Sequence, residues 1–487
     1  MKVHLPVLII MLALPVADLC GQVRVEVSKT EFKEGKEGFR DAWKSIKEGD
    51  KLYRTGVGMY PEAVMCYLLA NGYNSSNAEL NYKIGITYLG GPEPVKALDY
   101  FLKAYDLKPG VTEDILLLTG KAYHLRGDYG KAIDFYNMYS DRYHGSGNFD
   151  TVVNKLINQC NRAIEMSDSE GDFELINAGG NINSEYDDYS PVLSGEDRLL
   201  YFTSRRPLDE KRNRQNADMK WDENIFVATR GSDDWDPAGP AGDNLSTELN
   251  EGVLCIDAGG SVMYVYAGYQ GNGDILRAEY ENANWGSPHK PAVRINSIYR
   301  EASISITEDE SEIFFTSDMK KGMGGSDIYY IKRVQRNKWT KPFNLGDPVN
   351  SERNEESVFV SPGGDTIWFS SDRFGGMGGY DIYMSVKDEL GLWSEPVNMG
   401  SPLNSQSNDI FYRRSTVDLN QSWLSSDRPG GYGAYDIYMM VRNPAVTPDY
   451  PDADTSGIEG IKHGLLPDSL KVKKDDPRLR KPAPREN

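Results

Sequence analysis

The chain is poor in cysteine and histidine, the residues from which disulfide frameworks and many metal or nucleophile sites are built. It has four cysteines and five histidines in 487 residues. The cysteines are widely separated and show no metal-ligand spacing: Cys20, Cys66, Cys160 and Cys255. This argues against a disulfide framework and against a cysteine metal site. No histidine lies in a motif with a nucleophile or a second metal ligand. The sequence therefore favours a protein without a catalytic or metal centre.

Positive charge is also scarce, because 54 Lys and Arg face 73 Asp and Glu and give a formal net charge of −19. Nucleic-acid affinity comes largely from neutralising phosphates with Lys and Arg, so we expect no nucleic-acid partner. An acidic protein suits cations or basic partners. Paired carboxylates arise by chance in such a composition, and a hydrolase is accordingly the least favoured alternative.

Long apolar runs are absent except near the N-terminus. The run Leu5–Val16 has the length of a signal-peptide core and is too short to span a membrane. We expect residues 1–21 to be a signal peptide that directs export, and the mature chain to contain no membrane span. Cys20 is a candidate for lipidation, although Asp18 and Leu19 fit poorly where a lipobox needs small residues.

Small residues recur with a period of 34 or 35 residues between positions 40 and 166: Ala63, Ala97 and Ala132, and also Gly85 and Gly120. Two antiparallel helices cross closely only where small residues lie at the crossing, so the period predicts stacked helical hairpins. The first unit departs from this pattern, with Lys51 where the glycine belongs. Residues 148–166 are expected to form a capping helix.

The segments Tyr82–Pro109 and Gly120–Ile133 resemble the tetratricopeptide repeat of about 34 residues. The resemblance implies three helical hairpins plus a cap, forming a short solenoid over residues 40–166. Solenoids of this type often hold a peptide in their concave groove. The sequence leaves open whether this one binds a peptide or only docks against other structure.

A second period, of 50–55 residues, occupies residues 172–443. Each unit carries an Asp-Ile-Tyr-like tripeptide, beginning at Asp274, Asp327, Asp381 and Asp436, with Asn224 in the same slot. A tryptophan follows 11 or 12 residues later, at Trp235, Trp285, Trp339 and Trp393. Four short strands per unit make one β-propeller blade. We expect the aspartates to accept hydrogen bonds from backbone amides, and the tryptophans to cap the wedges between blades.

The repeats predict five blades. The fifth unit ends near Val441 without its last strand, and a matching segment, Phe173–Ile176, stands before the first unit. We therefore expect this strand to complete the last blade and close the ring, so that no edge stays open. Six blades is the alternative if the charged insertion Pro207–Lys220 hides a further unit. The predicted fold class is multidomain, α followed by all-β.

The strings Phe369–Tyr383 and Leu424–Tyr438 resemble the PD40 (WD40-like, TolB-type) propeller repeat. Helical repeats followed by such a propeller resemble periplasmic, outer-membrane-associated proteins of the type IX secretion apparatus of Bacteroidota. This resemblance implies a non-catalytic scaffold or adaptor whose partners are other envelope proteins, with peripheral outer-membrane association. Such relatives often end in an OmpA-like domain, which this sequence lacks, so peptidoglycan binding is not expected. A propeller that binds peptide or glycan is the alternative.

One acidic residue stands at the start of each predicted innermost strand: Asp188, Glu251, Glu301, Glu355 and Asp409. Innermost strands surround the propeller axis, so these five carboxylates would ring one mouth of the channel. Such a ring repels itself unless it is compensated. We expect each carboxylate to accept hydrogen bonds from the adjacent blade or to pair with Arg205, Arg373 or Arg428. A basic partner or Ca²⁺ at the ring is the alternative, and no other cofactor is expected.

The last residues, 444–487, are rich in proline and then in Lys and Arg. We expect a flexible linker, with docking to the chain's own surface, to another protein or to anionic lipid as the alternatives. Asp452–Gly457 has the form of a calcium-loop start. His463 stands where such a loop needs its glutamate, so calcium there is disfavoured.

Overall fold

The computed structural model describes residues 25–143, 149–167, 173–194, 196–208, 216, 218–232, 234–245, 250–268, 273–336, 338–415 and 417–442. The predicted signal peptide, the lipidation candidate Cys20 and the predicted linker 444–487 lie outside these residues. Helices fill the first part of the described chain, and strands fill the rest.

Within the described residues, eight helices precede the strands: α1 Lys29–Phe32, α2 Phe39–Thr55, α3 Tyr60–Tyr73, α4 Ala78–Leu89, α5 Ala97–Leu107, α6 Ile115–Leu125, α7 Tyr129–Tyr143 and α8 Phe149–Ser167. Short 3₁₀ turns at Val57–Met59 and Pro94–Lys96 connect α2 to α3 and α4 to α5. The helices pack as successive pairs, α2 with α3, α4 with α5 and α6 with α7, and α8 packs on α7. This is the predicted arrangement of three hairpins and a cap.

Each pair is closed by a glycine that faces an aromatic ring. A Cβ on Gly85 would lie 2.6 Å from the ring of Phe101, and one on Gly120 would lie 2.6 Å from the ring of Tyr136. In the first pair the glycine is Gly49, whose Cβ would lie 2.7 Å from the ring of Tyr67. The placement of Lys51 at this position was therefore wrong. The reason is that α2 continues further past its glycine than α4 does, so the repeat spacing is longer there.

The strands form five sheets. Blade 1 contains β2 Asp188–Ser194, β3 Leu199–Ser204, β4 Asn224–Thr229 and β5 Gly239–Pro240. Blade 2 contains β6 Glu251–Ile256, β7 Val262–Ala267, β8 Asp274–Glu281 and β9 Asn284–Trp285. Blade 3 contains β10 Glu301–Ile306, β11 Glu312–Ser317, β12 Asp327–Gln335, β13 Lys338–Trp339 and β14 Phe343–Asn344. Blade 4 contains β15 Glu355–Val360, β16 Thr366–Ser371, β17 Asp381–Val386 and β18 Val397–Asn398.

Blade 5 closes the ring. It contains β19 Asp409–Arg414, β20 Ser422–Ser426, β21 Asp436–Arg442 and, as its outermost strand, β1 Phe173–Asn177. β1 pairs antiparallel with β21, with Phe173 opposite Arg442 and Asn177 opposite Tyr438. Five blades and closure by the N-terminal strand are thus confirmed, and the six-bladed alternative is wrong. The charged insertion lies inside blade 1, between β3 and β4.

The first strand of each blade is the innermost one. β2, β6, β10, β15 and β19 contact one another in turn and complete a ring around the axis. All five are bulged against their second strands. Ser190, Ser357 and Phe411 have φ of 54–56° at these bulges, which is a rare backbone conformation for residues with side chains. The bulge bends each innermost strand where the blades converge.

The glycine contacts give a test of the helical packing. Replacing Gly85 by Ala should destabilise the chain by about 1–3 kcal/mol, because the new methyl overlaps the Phe101 ring. The matched control is Gly72→Ala on α3, where a Cβ would meet nothing within 4 Å. That control should stabilise the helix by about 0.5–1 kcal/mol. Urea unfolding followed by circular dichroism measures both, and equal effects would contradict the packing.

Candidate functional site

The five predicted ring carboxylates start the five innermost strands, and each is buried. Four of them accept hydrogen bonds from both the backbone amide and the hydroxyl of the serine four residues earlier: Ser184, Ser297, Ser351 and Ser405. These distances lie between 2.5 and 3.1 Å. The serine belongs to the turn that leads from the preceding blade. Each of these carboxylates therefore fixes a turn between blades.

Arginines neutralise three members of the ring. Glu355 pairs with Arg373 at 3.1 Å and Asp409 pairs with Arg428 at 2.6 Å. The partner of Asp188 is Arg206, at 2.9 Å, and the assignment of Arg205 to this ring was wrong. Alternation of side chains along the chain explains the correction: Arg205 points instead to Asp218 and Glu223, at 3.0 and 3.7 Å.

Arg205 is the centre of a second buried charge cluster in blade 1. Burial raises the pKa of Glu223 to about 7, although the Arg205 charge acts in the opposite direction. Lys220 pairs with Asp187 at 2.7 Å beside this cluster. Lys220 and Asp218 both come from the end of the predicted charged insertion, so this end of the insertion is held against blade 1.

No metal centre emerges from these carboxylates. Within the described ranges, no three Asp, Glu, His or Cys side chains are placed to hold one ion. Glu301 has no arginine within ion-pairing distance in that part of the chain, and burial raises its pKa above the ordinary value. The second calcium candidate, Asp452–Gly457, lies outside the described residues. The geometry supports structural roles for the ring.

The blade aspartates cap the turns between the second and third strands. Asp327 accepts hydrogen bonds from the amides of Met323 and Gly324 at 2.6 and 3.1 Å, and Asp381 accepts one from the Met377 amide at 2.6 Å. Asp436 does the same in blade 5, with the Tyr432 and Gly433 amides as donors. Asp274 lies 3.2 Å from Lys290. Asp327, Asp381 and Asp436 therefore hold the turns that lead into the third strands.

Four asparagines, each followed by a serine in the sequence, join the blades. Asn183, Asn296, Asn350 and Asn404 each pair with both the N–H and the C=O of the residue after the aspartate slot, at 2.7–3.0 Å. Each side chain thus completes two backbone hydrogen bonds as a neighbouring strand would. The repeated Asn-Ser spacing was the sequence signal for this role, but it does not by itself show what the amide binds.

The blade tryptophans pair with the end of the third strand of their blades, and three of them reach toward the preceding blade. Trp235 contacts Trp423 edge-on at 5.7 Å, and Trp393 contacts Phe314 edge-on at 6.1 Å. The indole N–H of Trp285 donates to the Tyr201 hydroxyl at 3.2 Å. The ring centre of Trp339 instead lies 4.9 Å from the guanidinium of Arg333, which belongs to the third strand of the same blade.

The centre of the propeller is filled by side chains. The Tyr189 and Phe411 rings stack at 5.9 Å near the end of the channel where the innermost strands start. Further along the axis, the buried Arg413 of blade 5 donates to the Leu254 carbonyl of blade 2 at 2.8 Å and to the Val358 carbonyl of blade 4 at 3.4 Å. Burial lowers the pKa of this guanidinium to about 10. Arg413 therefore ties three innermost strands together across the channel.

The helical domain docks on the face of the propeller where the innermost strands start. His124 of α6 donates through Nε2 to the Met377 carbonyl at 3.3 Å, and Gln159 of α8 donates to the Gly378 carbonyl. Lys155 donates to the Asp372 carbonyl at 2.8 Å. These contacts lie on blade 4, and Met377 is 3 % exposed.

Two further contacts widen this interface to blades 5 and 1. Gln406 accepts a hydrogen bond from the Tyr129 hydroxyl at 3.4 Å and donates to the Leu125 carbonyl at 3.2 Å. The Gly58 amide donates to the Asp218 carbonyl of the insertion at 2.8 Å. The face that bears the carboxylate ring is therefore the face against which the helices pack.

No protein-family profile and no characterised protein matches the sequence. Among solved structures, it is similar to a protein assigned as TolB from Agrobacterium tumefaciens, at 14 % identity and a TM-score of 0.32 over 52 % of this chain and 76 % of that one. An α-L-arabinofuranosidase from Lactobacillus brevis gives 15 % identity and a TM-score of 0.33 over 55 % and 94 %. Prolyl oligopeptidase B from Galerina marginata gives 8 % and 0.29 over 50 % and 31 %.

The asparagine contacts can be tested by removing one. Asn404→Ala leaves the buried N–H and C=O of Ile382 without partners and should cost about 2–4 kcal/mol of unfolding free energy. Asn420→Ala, in an exposed turn, should change stability by less than about 0.5 kcal/mol. Guanidinium unfolding monitored by tryptophan fluorescence compares the two. A similar loss of unfolding free energy in both variants would show that the Asn404 hydrogen bonds do not stabilise the propeller.

His124 gives the interface a pH dependence of known sign. Burial lowers the pKa of this histidine from 6.5 to about 4, so the folded chain binds fewer protons there than the unfolded chain between these values. Stability from this group is complete above pH 6.5 and falls by up to about 3 kcal/mol as the pH drops to 4.

His124→Gln keeps a donor for the Met377 carbonyl and removes the titration. The stability difference between the two proteins should therefore shift in favour of the variant as the pH falls from 6.5 to 4. Glu223 and Asp427, whose pKa values burial raises, act in the opposite direction but are common to both proteins. Thermal unfolding at several pH values measures the difference, and a constant difference would contradict the burial of a neutral imidazole.

Proposed function

We propose that this chain is a non-catalytic protein-interaction scaffold or adaptor of the bacterial cell envelope. The observation that carries the proposal is the docking of the helical domain on the propeller, through contacts with blades 1, 4 and 5. Two repeat domains joined in this way present one broad composite surface. Chemistry is not needed for such a role.

The state of the polar groups supports this proposal. Asp188, Glu355 and Asp409 are held by serines and arginines, and Arg413 is held by backbone carbonyls. An acid, base or metal site needs groups that converge on a substrate position. In the described chain these four buried charges are instead held by serines, arginines and backbone carbonyls.

Exposed apolar side chains on the opposite face offer contacts for a partner. Leu390 and Leu392 are 84 % and 64 % exposed in the turn between β17 and β18. Asp388 accepts hydrogen bonds from both of their amides at 2.8 Å, which fixes the turn. Val417 and Leu419 are exposed in the turn between β19 and β20. Apolar groups held on rigid turns bind a partner at low entropic cost.

The cellular setting is a further part of the proposal. Export to the periplasm, and a place in an outer-membrane or type IX secretion assembly, are supported by the apolar run Leu5–Val16 and by the two repeat strings. No helix in the described part of the chain is long and apolar enough to cross a membrane. The tetratricopeptide and PD40 assignments belong to this proposal as well.

Crosslinking in the intact producing bacterium tests the scaffold. The full chain, tagged and purified under denaturing conditions, should carry a reproducible set of envelope proteins. The double variant Leu390→Asp with Leu392→Asp should lower the yield of at least one of them about tenfold, since central apolar contacts dominate interface energies. The matched control is Asn282→Asp with Asn284→Asp, which adds the same charge to the equivalent turn of blade 2.

A chain that is recovered uncrosslinked and monomeric, with a small peptide or glycan retained in native mass spectrometry, would overturn the scaffold in favour of a ligand-binding propeller. Equal crosslinking by the variant and by the control would exclude the Leu390 turn as the contact surface.

A further inference from the structure

Helix α2 carries a stripe of five cations on one side. Arg40, Lys44, Lys47, Lys51 and Arg54 follow one another at intervals of four and three residues, and all five are exposed. Such spacing places side chains on one face of an α-helix. With a rise of about 1.5 Å per residue, the stripe is about 21 Å long.

The stripe lies opposite the buried side of α2. Ala42, Ile46 and Gly49 form that buried side. The acidic residues Asp41 and Glu48 flank the stripe, about a quarter of a turn from its centre, by the same periodicity. The centre of the exposed side therefore carries only cations, on a chain whose net charge is −19.

Most of the stripe is not neutralised within the protein. In the described residues, no carboxylate lies within ion-pairing distance of Arg40, Lys44 or Lys47. Lys51 pairs with Glu48 at 3.4 Å, but both side chains are more than half exposed, so the pair is weak. The remaining acidic side chain of the helix, Asp50, is already paired with Lys83 of α4 at 2.8 Å.

An aromatic residue borders the stripe. The Lys47 ammonium lies 5.1 Å from the centre of the half-buried Trp43 ring. Tryptophan is favoured where an apolar surface meets charged groups, as at the level of lipid headgroups. The stripe therefore combines cations with a residue suited to an interface.

We propose that this face of α2 docks on an anionic lipid surface. All five cations come from a single exposed helix, so they suit a flat surface dense in phosphate more than a peptide, which needs groups converging from several elements. The remainder of the chain is strongly acidic and is repelled by the same surface, which orients the molecule with α2 toward the lipid. This inference is independent of the scaffold role.

Vesicle co-sedimentation of the full-length protein tests the proposal. Vesicles of phosphatidylcholine with about 30 % phosphatidylglycerol are compared with vesicles of pure phosphatidylcholine. The wild-type protein should bind only the anionic vesicles, and binding should fall as salt is raised. Lys44→Glu with Lys47→Glu and Lys51→Glu should lower the partition coefficient at least about a hundredfold.

The matched control is Lys320→Glu with Lys321→Glu and Lys341→Glu. It makes the same charge change at exposed positions of the propeller and should bind nearly as wild type does. All proteins keep the basic residues beyond 470, so the comparison isolates α2. Circular dichroism and melting temperature confirm that the variants are folded.

Equal binding by the two triple variants would overturn the proposal. Absence of binding by the wild type would do so as well. If the α2 variant instead loses a crosslinked protein partner while vesicle binding is unchanged, the stripe is a protein contact and the lipid assignment is wrong.

Discussion

The propeller depends on asparagine side chains that make the two backbone hydrogen bonds a neighbouring strand would make. Four blade junctions are held by an asparagine that pairs with the N–H and the C=O of one residue on the third strand of the preceding blade. The serine that follows each asparagine then holds the carboxylate that starts the next innermost strand. Two adjacent residues thereby connect the outer part of one blade with the inner part of the next. Buried backbone groups that would otherwise lack partners are satisfied at the same point.

This arrangement decides what the charged residues can do. A buried carboxylate is expensive unless it is hydrogen-bonded or paired. Here the compensation comes from turns and from arginines such as Arg373 and Arg428, so the charges position the blades relative to one another. The helical domain then rests on the same face. Outward surfaces, namely the cationic side of α2 and the turns opposite the helices, are left for contact with other molecules.

Repeats made most of the fold predictable. The 34-residue spacing located the helical pairs, and the tripeptide with its tryptophan located the blades and their closure. The positions of single residues within a repeat were less predictable. Because α2 is longer after its glycine than α4 is, the first pair has its glycine at Gly49, two residues before the position 51 that a 34-residue period indicates. The pairing of Asp188 with Arg206 was missed since neighbouring arginines differ only in which side of the chain they face. His124, Gln159 and Arg413 act across long sequence distances and have no identical residue at the equivalent positions of other repeats, so no periodic signal marks them.

Closure by β1 sets the order in which the chain can complete its fold. The first strand synthesised is the last to find its partner, because β21 is made more than 250 residues later. Pairing over such separations is slow, and the unpaired β1 is open to association with other chains in the meantime. β1 follows α8 within a few residues, so the helical domain stays close to β1 until β21 has been made. A partly made chain is thus an asymmetric body with folded helices at one end and an unfinished ring at the other.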